Sequence, residues 1–363
     1  MERQYWVGFS YVKGIGPTRV RQLLAYFGSL EEAWHAGRDA LQEAGLDKRA
    51  LKSLLETRPR LNTAGELARL DKLGIAVLTW EDEDYPPLLA ELRAIDHAPP
   101  VIYMRGTLTQ RDQWALAVVG TRRISAYGRQ VTRTLVGDIA RGGVTVISGM
   151  AKGIDAEAHQ AALEAGARTI AVLPCGMDTI YPPEHRGLAT QIVQQGAVLT
   201  QFPLGTKPEA GNFPPRNRTL SGLARGVLVI EAGHKSGALI TANHALEQGR
   251  EVFAVPGNIT MRNSDGTNRL IRDGAHPVTE AHDVLEVLDM DRVEQHISAQ
   301  QALPPMSDIE QTINDVLSFE PTHVDEIVQA SGLPTNQVTS TLTMLVLKGL
   351  AQEVDTMVYV KTR

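Results

Sequence analysis

The hydrophobic positions between Leu73 and Val287 form short apolar runs that alternate with segments of helical spacing. Eight runs predict β-strands, at residues 76–79, 101–104, 116–119, 144–147, 169–173, 197–201, 227–230 and 252–255. Most of the segments between them, such as 156–165 and 238–248, repeat their apolar residues with the period of a helix. Continuous apolar strands joined by helical crossovers are typical of a parallel sheet covered on both faces. The pattern therefore predicts a doubly wound α/β fold.

The first 72 residues have a different pattern, in which short helical segments follow one another. Residues 13–24 combine a glycine-rich turn with Pro17 and helical apolar spacing, which predicts a tight turn followed by a helix. This arrangement resembles a helix-hairpin-helix, whose turn amides contact a DNA backbone. Helical hairpins with glycine turns are also common in bundles, so we favour a structural hairpin, as in a sterile-alpha-motif-like domain. Residues 1–72 are predicted to form this helical domain.

A polar segment separates the predicted α/β domain, residues 73–288, from the C-terminal part of the chain. Residues 289–306 end in Leu303-Pro304-Pro305 and predict a linker. Residues 307–363 contain three helical segments and a strand near 357–360, which predict a winged helix. The third helix of such a domain normally reads DNA, but residues 335–348 contain one lysine and no arginine. We therefore expect a module for protein interaction or regulation.

Charge is unevenly distributed along the chain. The 363 residues have a formal net charge of −6, which by itself disfavours a nucleic-acid partner. Residues 111–153 nevertheless contain seven basic and two acidic side chains, a net +5, whereas residues 307–363 have a net −5. Because the local field decides which partner is attracted, a polyanion is expected at the middle of the chain.

Other features of the sequence bear on the compartment. No apolar run reaches the roughly 18 residues that cross a bilayer. The N-terminus lacks a basic segment followed by an apolar one, so no signal peptide is predicted. Cys175 is the single cysteine, which excludes an internal disulfide framework and fits a reducing cytosol. A cytoplasmic protein without a membrane partner is expected.

Small and turn-forming residues follow most of the predicted strands. They form the turns Gly120-Thr121, Ser148-Gly149, Pro174-Cys175-Gly176, Ala232-Gly233 and Pro256-Gly257-Asn258. The carboxyl ends of parallel strands share one edge of the sheet, where open α/β sheets bind ligands. One binding site is therefore expected at this edge, although its residues are spread over about 140 positions of the sequence.

Two strand-to-helix turns are candidate phosphate sites. The first has Thr121, Arg122 and Arg123 where a dinucleotide fingerprint has glycines, which indicates capture of phosphate by side chains. The second turn offers backbone amides and one positive charge. Its residues are Ser148, Gly149 and Lys152. The alternative for the first turn is a surface loop whose arginines only face solvent.

The run at residues 212–218 mixes groups that few small ligands use together. Cations suit phosphate, and an exposed phenylalanine offers a face to a nucleobase. The residues assigned to this site are Lys207, Phe213, Arg216, Asn217 and Arg218. They are predicted to lie on a long, proline-bounded loop that leads into a helix. A lone phenylalanine often fills a core gap, but the neighbouring cations favour base stacking for Phe213. Asn217 is also suited to holding the loop through backbone hydrogen bonds. Single-stranded nucleic acid is the expected ligand.

Lys235, Ser236 and Gly237 form the last anion candidate. They precede a helical segment, whose free first-turn amides attract phosphate. Ser236 is also a natural N-cap, and capping alone would explain it. The two roles are compatible, because a phosphate can use the N–H groups that the cap leaves.

Five motifs, in this order, resemble the DNA-processing protein A family (DprA, also called Smf) of bacterial natural transformation. They are Val119-Gly120-Thr121-Arg122, Ser148-Gly149-Met150-Ala151-Lys152-Gly153-Ile154-Asp155, the Asn212-Phe213-Pro214 to Arg216-Asn217-Arg218 run, Ser236-Gly237 with Thr241-Ala242, and Val255-Pro256-Gly257-Asn258. The resemblance covers nearly the whole chain. It implies an extended Rossmann-like domain that binds single-stranded DNA, protects incoming strands and helps to load the RecA recombinase during transformation and homologous recombination. It also implies a homodimer formed through this domain.

Catalysis is not expected. The sequence has no Gly-x-x-x-x-Gly-Lys-[Ser/Thr] loop for ATP, no His/Cys pattern with metal-ligand spacing, and no acidic cluster of nuclease type beside the basic turns. We therefore predict no catalytic residue, metal or cofactor, and interpret Asp155 as a buried cap or anchor. The alternative is a nucleotide-processing enzyme resembling the lysine-decarboxylase-like phosphoribohydrolases, although their Pro-Gly-Gly-x-Gly-Thr-x-x-Glu run is missing. A scaffold that binds protein alone is the third possibility.

Overall fold

The computed structural model describes residues 2–289, 307–318, 321–348, 350–355 and 357–361. The chain forms two compact units, Met1–Val293 and Glu294–Arg363. The predicted linker at 289–306 lies, apart from Asp289, outside the described residues, and the predicted domain limits remain predictions. Within the described ranges, no helix is long and apolar enough to cross a membrane.

The N-terminal part of the first unit is helical, as predicted. Its helices are α1 (Arg3–Ser10), α2 (Pro17–Phe27), α3 (Leu30–His35), α4 (Arg38–Glu43), α5 (Lys48–Thr57) and α6 (Thr63–Lys72). The side chains of Ser29, Asp47 and Asn62 cap three of these helices. Pro17 begins α2, where its missing N–H breaks no hydrogen bond. Gly14, with a φ of 88°, allows the tight turn before that helix.

Nine strands form the central sheet of this unit. They are β1 (Ala76–Thr79), β2 (Val101–Gly106), β3 (Ala115–Val119), β4 (Thr145–Ser148), β5 (Thr169–Val172), β6 (Ala197–Thr200), β7 (Gly226–Val229), β8 (Glu251–Ala254) and β9 (His276–Pro277). Their order across the sheet is β1-β2-β6-β5-β4-β3-β7-β8-β9. All eight predicted strands are present, whereas β9 is too short to produce an apolar run. The α/β fold is therefore confirmed.

Strand β2 departs from the predicted parallel arrangement. It pairs antiparallel with both β1 and β6, whereas the pairs from β6 to β9 are parallel. Between β1 and β2 the chain forms α7 (Pro87–Ala90) and a 3₁₀ turn (Glu91–Arg93). These elements are too short to return the chain to the starting end of the sheet, as a crossover helix does. The sheet is consequently mixed, and mostly parallel.

Helices cover both faces of the sheet. Those after β3 are α8 (Ala126–Val131), a π-helical segment (Thr132–Val136), α9 (Gly137–Arg141), α10 (Ile154–Glu164), α11 (Arg186–Gln195), α12 (Phe213–Gly222), α13 (Gly237–Glu247), α14 (Asp265–Arg272) and α15 (Ala281–Val287). Successive residues of β5 point to opposite faces. Ala171 packs into the core shared with the N-terminal helices, whereas Ile170 and Val172 pack into the core shared with α12 and α13.

The strand order reverses between β3 and β7. Strands β4, β5 and β6 succeed one another on one side of β3, and β7 pairs with its other side. The loops beside such a reversal leave in opposite directions, so a crevice opens outside the carboxyl ends of the two strands. The topology therefore favours a ligand site beyond Val119 and Val229.

The second unit has the predicted winged-helix arrangement. Its elements are α16 (Asp308–Val316), α17 (Val324–Ser331), α18 (Thr335–Leu347), β10 (Thr322–His323), β11 (Ala351–Asp355) and β12 (Val358–Lys361). The strands pair in the order β10-β12-β11. Ile313, Leu342 and Tyr359 are buried in its core. Lys348, the cation at the end of α18, has a side chain only 4% exposed and pairs with Glu310 at 2.7 Å.

Candidate nucleic-acid interface

A cavity of about 760 Å³ opens at the carboxyl edge of the sheet, outside the reversal between β3 and β7. We call it the edge cavity. Its walls are the turn after β3, the first turns of α12 and α13, and the segment 262–265 that follows β8. It is lined by eight of the fourteen predicted site residues: Thr121, Arg122, Phe213, Arg216, Asn217, Lys235, Ser236 and Gly237. The fold thus brings together residues that lie more than a hundred positions apart.

Phe213 presents its ring to two guanidinium groups in this cavity. The Cζ atoms of Arg122 and Arg216 lie 5.0 and 5.5 Å from the ring centroid. Such distances allow attraction between a cation and the negative face of the ring. Tyr181 meets the ring edge-on, with 6.3 Å between the centroids. A flat apolar surface and positive charge therefore stand side by side, as a base and its phosphate require.

The segment that carries Phe213 is a helix and not the predicted loop. Helix α12 begins at Phe213, and Pro214 and Pro215 lie in its first turn, where a missing N–H breaks no helical hydrogen bond. The prolines were interpreted as loop residues because proline is rare further inside a helix. Phe213, Arg216 and Asn217 are spaced three and four residues apart, so they share one face of α12.

Arg216 is an internal anchor. Its residue surface is 4% exposed, and its guanidinium donates hydrogen bonds to the carbonyl of Gly149 and, at 2.9 Å, to that of Val172. Burial lowers the pKa of Arg216 to about 10, and the nearby Asp155 carboxylate opposes this change. The side chain therefore stays charged at neutral pH while it ties α12 to the ends of β4 and β5. Because it is buried, Arg216 is poorly placed to contact a phosphate directly.

Asp155 occupies the buried position that the sequence suggested for a cap or anchor. It is 7% exposed and accepts a hydrogen bond from the Ala151 amide at 3.3 Å. Burial raises the pKa of Asp155, while the neighbouring Arg216 lowers it. Its carboxylate and the Arg216 guanidinium fill the space above Gly149, where any Cβ would collide with both groups. Gly149 is therefore required for this packing, whereas the sequence alone identifies it only as a turn residue.

Glu231 holds the turn that carries Arg122. This carboxylate is 4% exposed and accepts hydrogen bonds from the Ser125 amide, at 3.0 Å, and from the Ser125 hydroxyl. The Thr121 amide donates to the main-chain carbonyl of Glu231 at 2.8 Å. Glu231 was not among the predicted site residues. An acidic residue directly after an apolar strand is nevertheless a signal, because a buried carboxylate requires hydrogen-bond donors. Through these bonds the end of β7 fixes the start of α8.

The first turn of α13 forms the opposite wall of the edge cavity. Ser236 caps the helix by accepting the Ala238 amide at 3.3 Å, as its capping interpretation predicted. The Ser236 carbonyl also accepts the Leu239 amide at 3.1 Å, which leaves the Gly237 amide of the first turn for an anion. Lys235 is exposed beside it. Arg262 and Asn263 also line the cavity; they were missed because they lie after the turn that follows β8 rather than in it.

Six predicted residues lie outside the lining of the edge cavity: Arg123, Ser148, Gly149, Lys152, Lys207 and Arg218. Ser148 is fully buried, and its hydroxyl donates to the Val118 carbonyl at 2.6 Å. Its side chain therefore joins two neighbouring strands. Gly149 supplies a carbonyl to Arg216, so this turn contributes to the site through its backbone.

The remaining four are cations with different surroundings. Arg123 and Lys207 are exposed. Lys152 is also exposed and pairs with Glu184, so a phosphate would compete with that carboxylate. Arg218 lies on another face of α12 and lines a second cavity. Arg123, Lys152 and Lys207 can add long-range attraction to the edge cavity, but they do not form its walls.

Comparison with known proteins identifies the family. A family model described as DNA recombination-mediator protein A matches residues 76–289, the segment that contains every residue lining the edge cavity. The chain belongs to the DNA recombination-mediator protein A family. A second model, described as the DprA winged helix domain, matches residues 298–355. The resemblance derived from the five motifs is therefore confirmed.

Individual relatives of this recombination-mediator family match over long segments. Protein Smf of Synechocystis sp. is 36% identical over 394 residues, which cover 99% of this chain and 98% of the relative. The crystal structure of DNA processing protein A from Streptococcus pneumoniae is similar with a TM-score of 0.67 and 32% identity, over 78% of this chain and 97% of that one. A Helicobacter pylori DNA processing protein A structure, reported for its single-stranded DNA binding mode, has a TM-score of 0.53 and 30% identity, over 60% and 96%.

Proposed function

We propose that this protein binds single-stranded DNA without sequence preference at the edge cavity, protects incoming strands and helps to load RecA onto them. The observation that carries the proposal is the Phe213 ring with the Arg122 guanidinium 5.0 Å from its centroid. Stacking on an aromatic ring accepts any base, because every base has a π face. The structure of the Helicobacter pylori relative, described by its single-stranded DNA binding mode, supports the same ligand.

In this proposal, different parts of the edge cavity contact the base and the phosphates of the bound strand. A base stacks on Phe213 between the walls formed by α12 and α13. Arg122 and Lys235, both exposed, neutralise phosphates. The Gly237 amide at the start of α13 offers a further hydrogen bond to a phosphate oxygen. Arg216 acts indirectly, because it fixes α12 and with it the position of the ring. The predicted residues thus include contacts, internal anchors and surrounding charge.

The partners of the DNA complex belong to the same proposal. RecA and a second copy of this chain are expected from the resemblance to the DNA-processing family, in which the Rossmann-like domain forms the dimer. The cytoplasm is the compartment in which single strands and RecA meet. The winged helix serves protein contact or regulation in this proposal, since its Lys348 is engaged by Glu310.

We also infer that the protein has no catalytic activity of its own. Asp155 lines the edge cavity but is placed as an anchor, and burial raises the pKa of the Cys175 thiol to about 11, so a thiolate nucleophile is disfavoured. The alternative, a phosphoribohydrolase-like enzyme, predicts release of free base from nucleoside monophosphates. Incubation of the protein with these nucleotides, followed by chromatography, distinguishes the binding protein from the enzyme. Release of free base in proportion to the amount of protein would contradict our inference.

Binding measured over a salt series tests the central proposal. Arg122 and Lys235, together with one to three of the exposed cations Arg123, Lys152 and Lys207, give about three to five phosphate contacts. Log K should then fall against log salt with a slope of roughly −2 to −3.5. A thymidine oligomer and a blunt duplex of equal length should be compared in the same buffers. Single strands should bind more tightly at every salt concentration. Equal affinity for the duplex, or a slope near zero, would contradict the proposed function.

A further inference from the structure

Thr241 brings a hydroxyl group to the lining of the edge cavity. It lies on α13, one turn after Gly237, and is only 2% exposed. Within the described ranges its Oγ1 atom neither donates nor accepts a hydrogen bond, and it is not sealed off from solvent, so it is reached through the cavity. A hydroxyl of a buried residue without a partner costs free energy, which a ligand with a hydrogen-bonding group would recover.

Asn217 brings a second free polar group to the same lining. It lies on α12, is half-buried, and its carboxamide has no hydrogen-bond partner among the residues that the structure describes. The carboxamide therefore does not hold this segment in place, which was the alternative role for Asn217. Helices α12 and α13 share one apolar core, to which they contribute Leu220 and Ala242, so the two free groups stand on adjoining walls of the cavity.

The buried part of the edge cavity suits a nucleobase better than a phosphate. Three of its buried lining residues are apolar: Val119, Leu220 and Ala238. A phosphate among these groups would lose its hydration, at a large cost in free energy. Arg122 and Lys235 are exposed, so they meet phosphates where the strand remains hydrated. The part of the strand that reaches Thr241 is therefore the edge of the base that stacks on Phe213.

The charged groups of the lining agree with a neutral ligand at this depth. The Arg216 guanidinium is engaged by the carbonyls of Gly149 and Val172. The buried Asp155 carboxylate lies near this guanidinium and compensates its charge. Asp265, the other acid of the lining, is exposed and repels a phosphate. The buried charges thus balance each other and leave hydrogen bonding as the means of recognition.

The two free groups can each donate and accept hydrogen bonds. A hydroxyl, like a carboxamide, carries both donor and acceptor sites. Unpaired nucleobases are recognised through stacking and through hydrogen bonds to their Watson–Crick edge, which presents donors and acceptors in an order that differs between bases. Because Thr241 and Asn217 can adapt to either kind of group, they are compatible with any base at this position.

We propose that Thr241 and Asn217 bind the Watson–Crick edge of the base that stacks on Phe213, so that the edge cavity selects unpaired bases. In a duplex this edge is occupied by the partner strand and cannot reach the two side chains. The inference rests on the proposed function, because stacking on Phe213 brings the base into the cavity. It assigns part of the preference for single strands to hydrogen bonding, in addition to stacking and charge.

Thr241→Val tests the contact with little change in the shape of the side chain. Loss of a hydroxyl that has no partner in the described structure should leave the thermal midpoint unchanged or higher. Two ligands are compared: an oligomer of about ten thymidines, and the same oligomer with difluorotoluene, which has the shape of thymine but hardly forms hydrogen bonds, in place of every base. Thr241→Val should weaken binding of the thymidine oligomer about three- to tenfold and leave binding of the difluorotoluene oligomer unchanged.

A second variant and a matched control separate failure of this contact from failure of the proposed function. Asn217→Ala should repeat the pattern of Thr241→Val, whereas Thr190→Val, at an exposed threonine of α11, should affect neither oligomer. If Thr241→Val weakens both oligomers equally, the hydroxyl binds the backbone of the strand and the base-edge contact is overturned; it is also overturned if neither oligomer is weakened. If the wild type binds neither oligomer, or if Phe213→Ala binds both as tightly as the wild type, the proposed function itself fails.

Discussion

At the scale of single residues, Phe213 and Arg122 should contribute to DNA binding in separable ways. Arg122→Ala removes a phosphate contact and should flatten the salt slope by about 0.7. Phe213→Ala removes a stacking surface and should weaken binding by about 1–3 kcal/mol, while the slope stays nearly unchanged. Fluorescence titration of both variants over the same salt series measures the two quantities. A Phe213→Ala variant that loses thermal stability, but binds DNA normally when folded, would show that the ring only fills the core.

His159 should make the fold sensitive to acid. It is fully buried, its Nδ1 lies 2.7 Å from the Thr169 hydroxyl, and burial, with His185 and Arg216 nearby, lowers its pKa to about 3. The folded protein therefore keeps this imidazole neutral, whereas the unfolded chain protonates it below its ordinary pKa of 6.5. The stability that the neutral His159 contributes is present above pH 6.5 and is lost as the pH falls below it.

The size of this effect can be measured by difference. Between about pH 7.5 and 5.5 the wild type should lose about 1.4 kcal/mol more free energy of unfolding than His159→Gln, which has no proton to gain. Urea denaturation at both pH values gives the comparison. Equal losses in the two proteins would mean that His159 is protonated in the folded state as well.

The sequence predicted residue types at the site better than it predicted their roles. Arg122, Phe213 and Ser236 lie in the edge cavity as expected, because strand ends and helix starts converge at the sheet edge. The burial of Arg216 was not predictable, since its acceptors are the main-chain carbonyls of Gly149 and Val172, which have no signature in a sequence. A sequence motif of charged residues does not show which of the side chains is buried.

At the scale of elements, the close contact between α8 and the end of β7 should control the position of Arg122. A Cβ at Gly128 would collide with the Glu231 carboxylate, which holds the Ser125 end of the turn. Gly128→Ala should therefore destabilise the fold by about 1–3 kcal/mol and also weaken DNA binding. Gly187→Ala is the matched control, because that helical glycine has open space around it and alanine favours a helix. Urea denaturation with m-values checks both; equal stability of the two variants would contradict this account.

Most elements followed from periodicity, and the exceptions have physical causes. The eight predicted strands are short, mostly buried apolar runs that alternate with helical segments, and this alternation distinguishes them from buried helices. The predicted parallel direction was wrong for β2, since direction depends on how far α7 and the following turn carry the chain. The start of α12 was also missed, because Pro214 and Pro215 are tolerated only in a first turn. The start of α12 depends on where a residue stands within a helix, whereas helix propensity describes the average preference of a residue type over all helix positions.

At the scale of the whole molecule, the winged helix should be dispensable for DNA affinity. Residues 307–363 have a net charge of −5, and α18 ends with a lysine that pairs with Glu310. A segment of this charge repels phosphate, whereas the turns around the edge cavity attract it. A truncated protein comprising residues 1–305 should bind a single-stranded oligomer within a few-fold of the full chain.

The truncation must be folded and have the same oligomeric state as the full chain, which circular dichroism and light scattering establish. A loss of more than about tenfold, roughly 1.4 kcal/mol, would assign DNA contact to the winged helix. The arrangement of charge that motivates this prediction was visible in the sequence. The linker prediction at 289–306 concerns residues outside the described ranges, apart from Asp289, and it stays a prediction.

The anchor formed by Arg216 also bears on how this family can diversify. Its acceptors are carbonyl oxygens, which every amino acid supplies, so Val172 can be exchanged for another apolar residue without loss of the hydrogen bond. Gly149 cannot be exchanged in this way, because any side chain there would displace the guanidinium. The position of the stacking ring is thereby inherited through the path of the backbone and one glycine. Apolar residues of similar volume should therefore replace one another in the surrounding strands without moving the Phe213 ring.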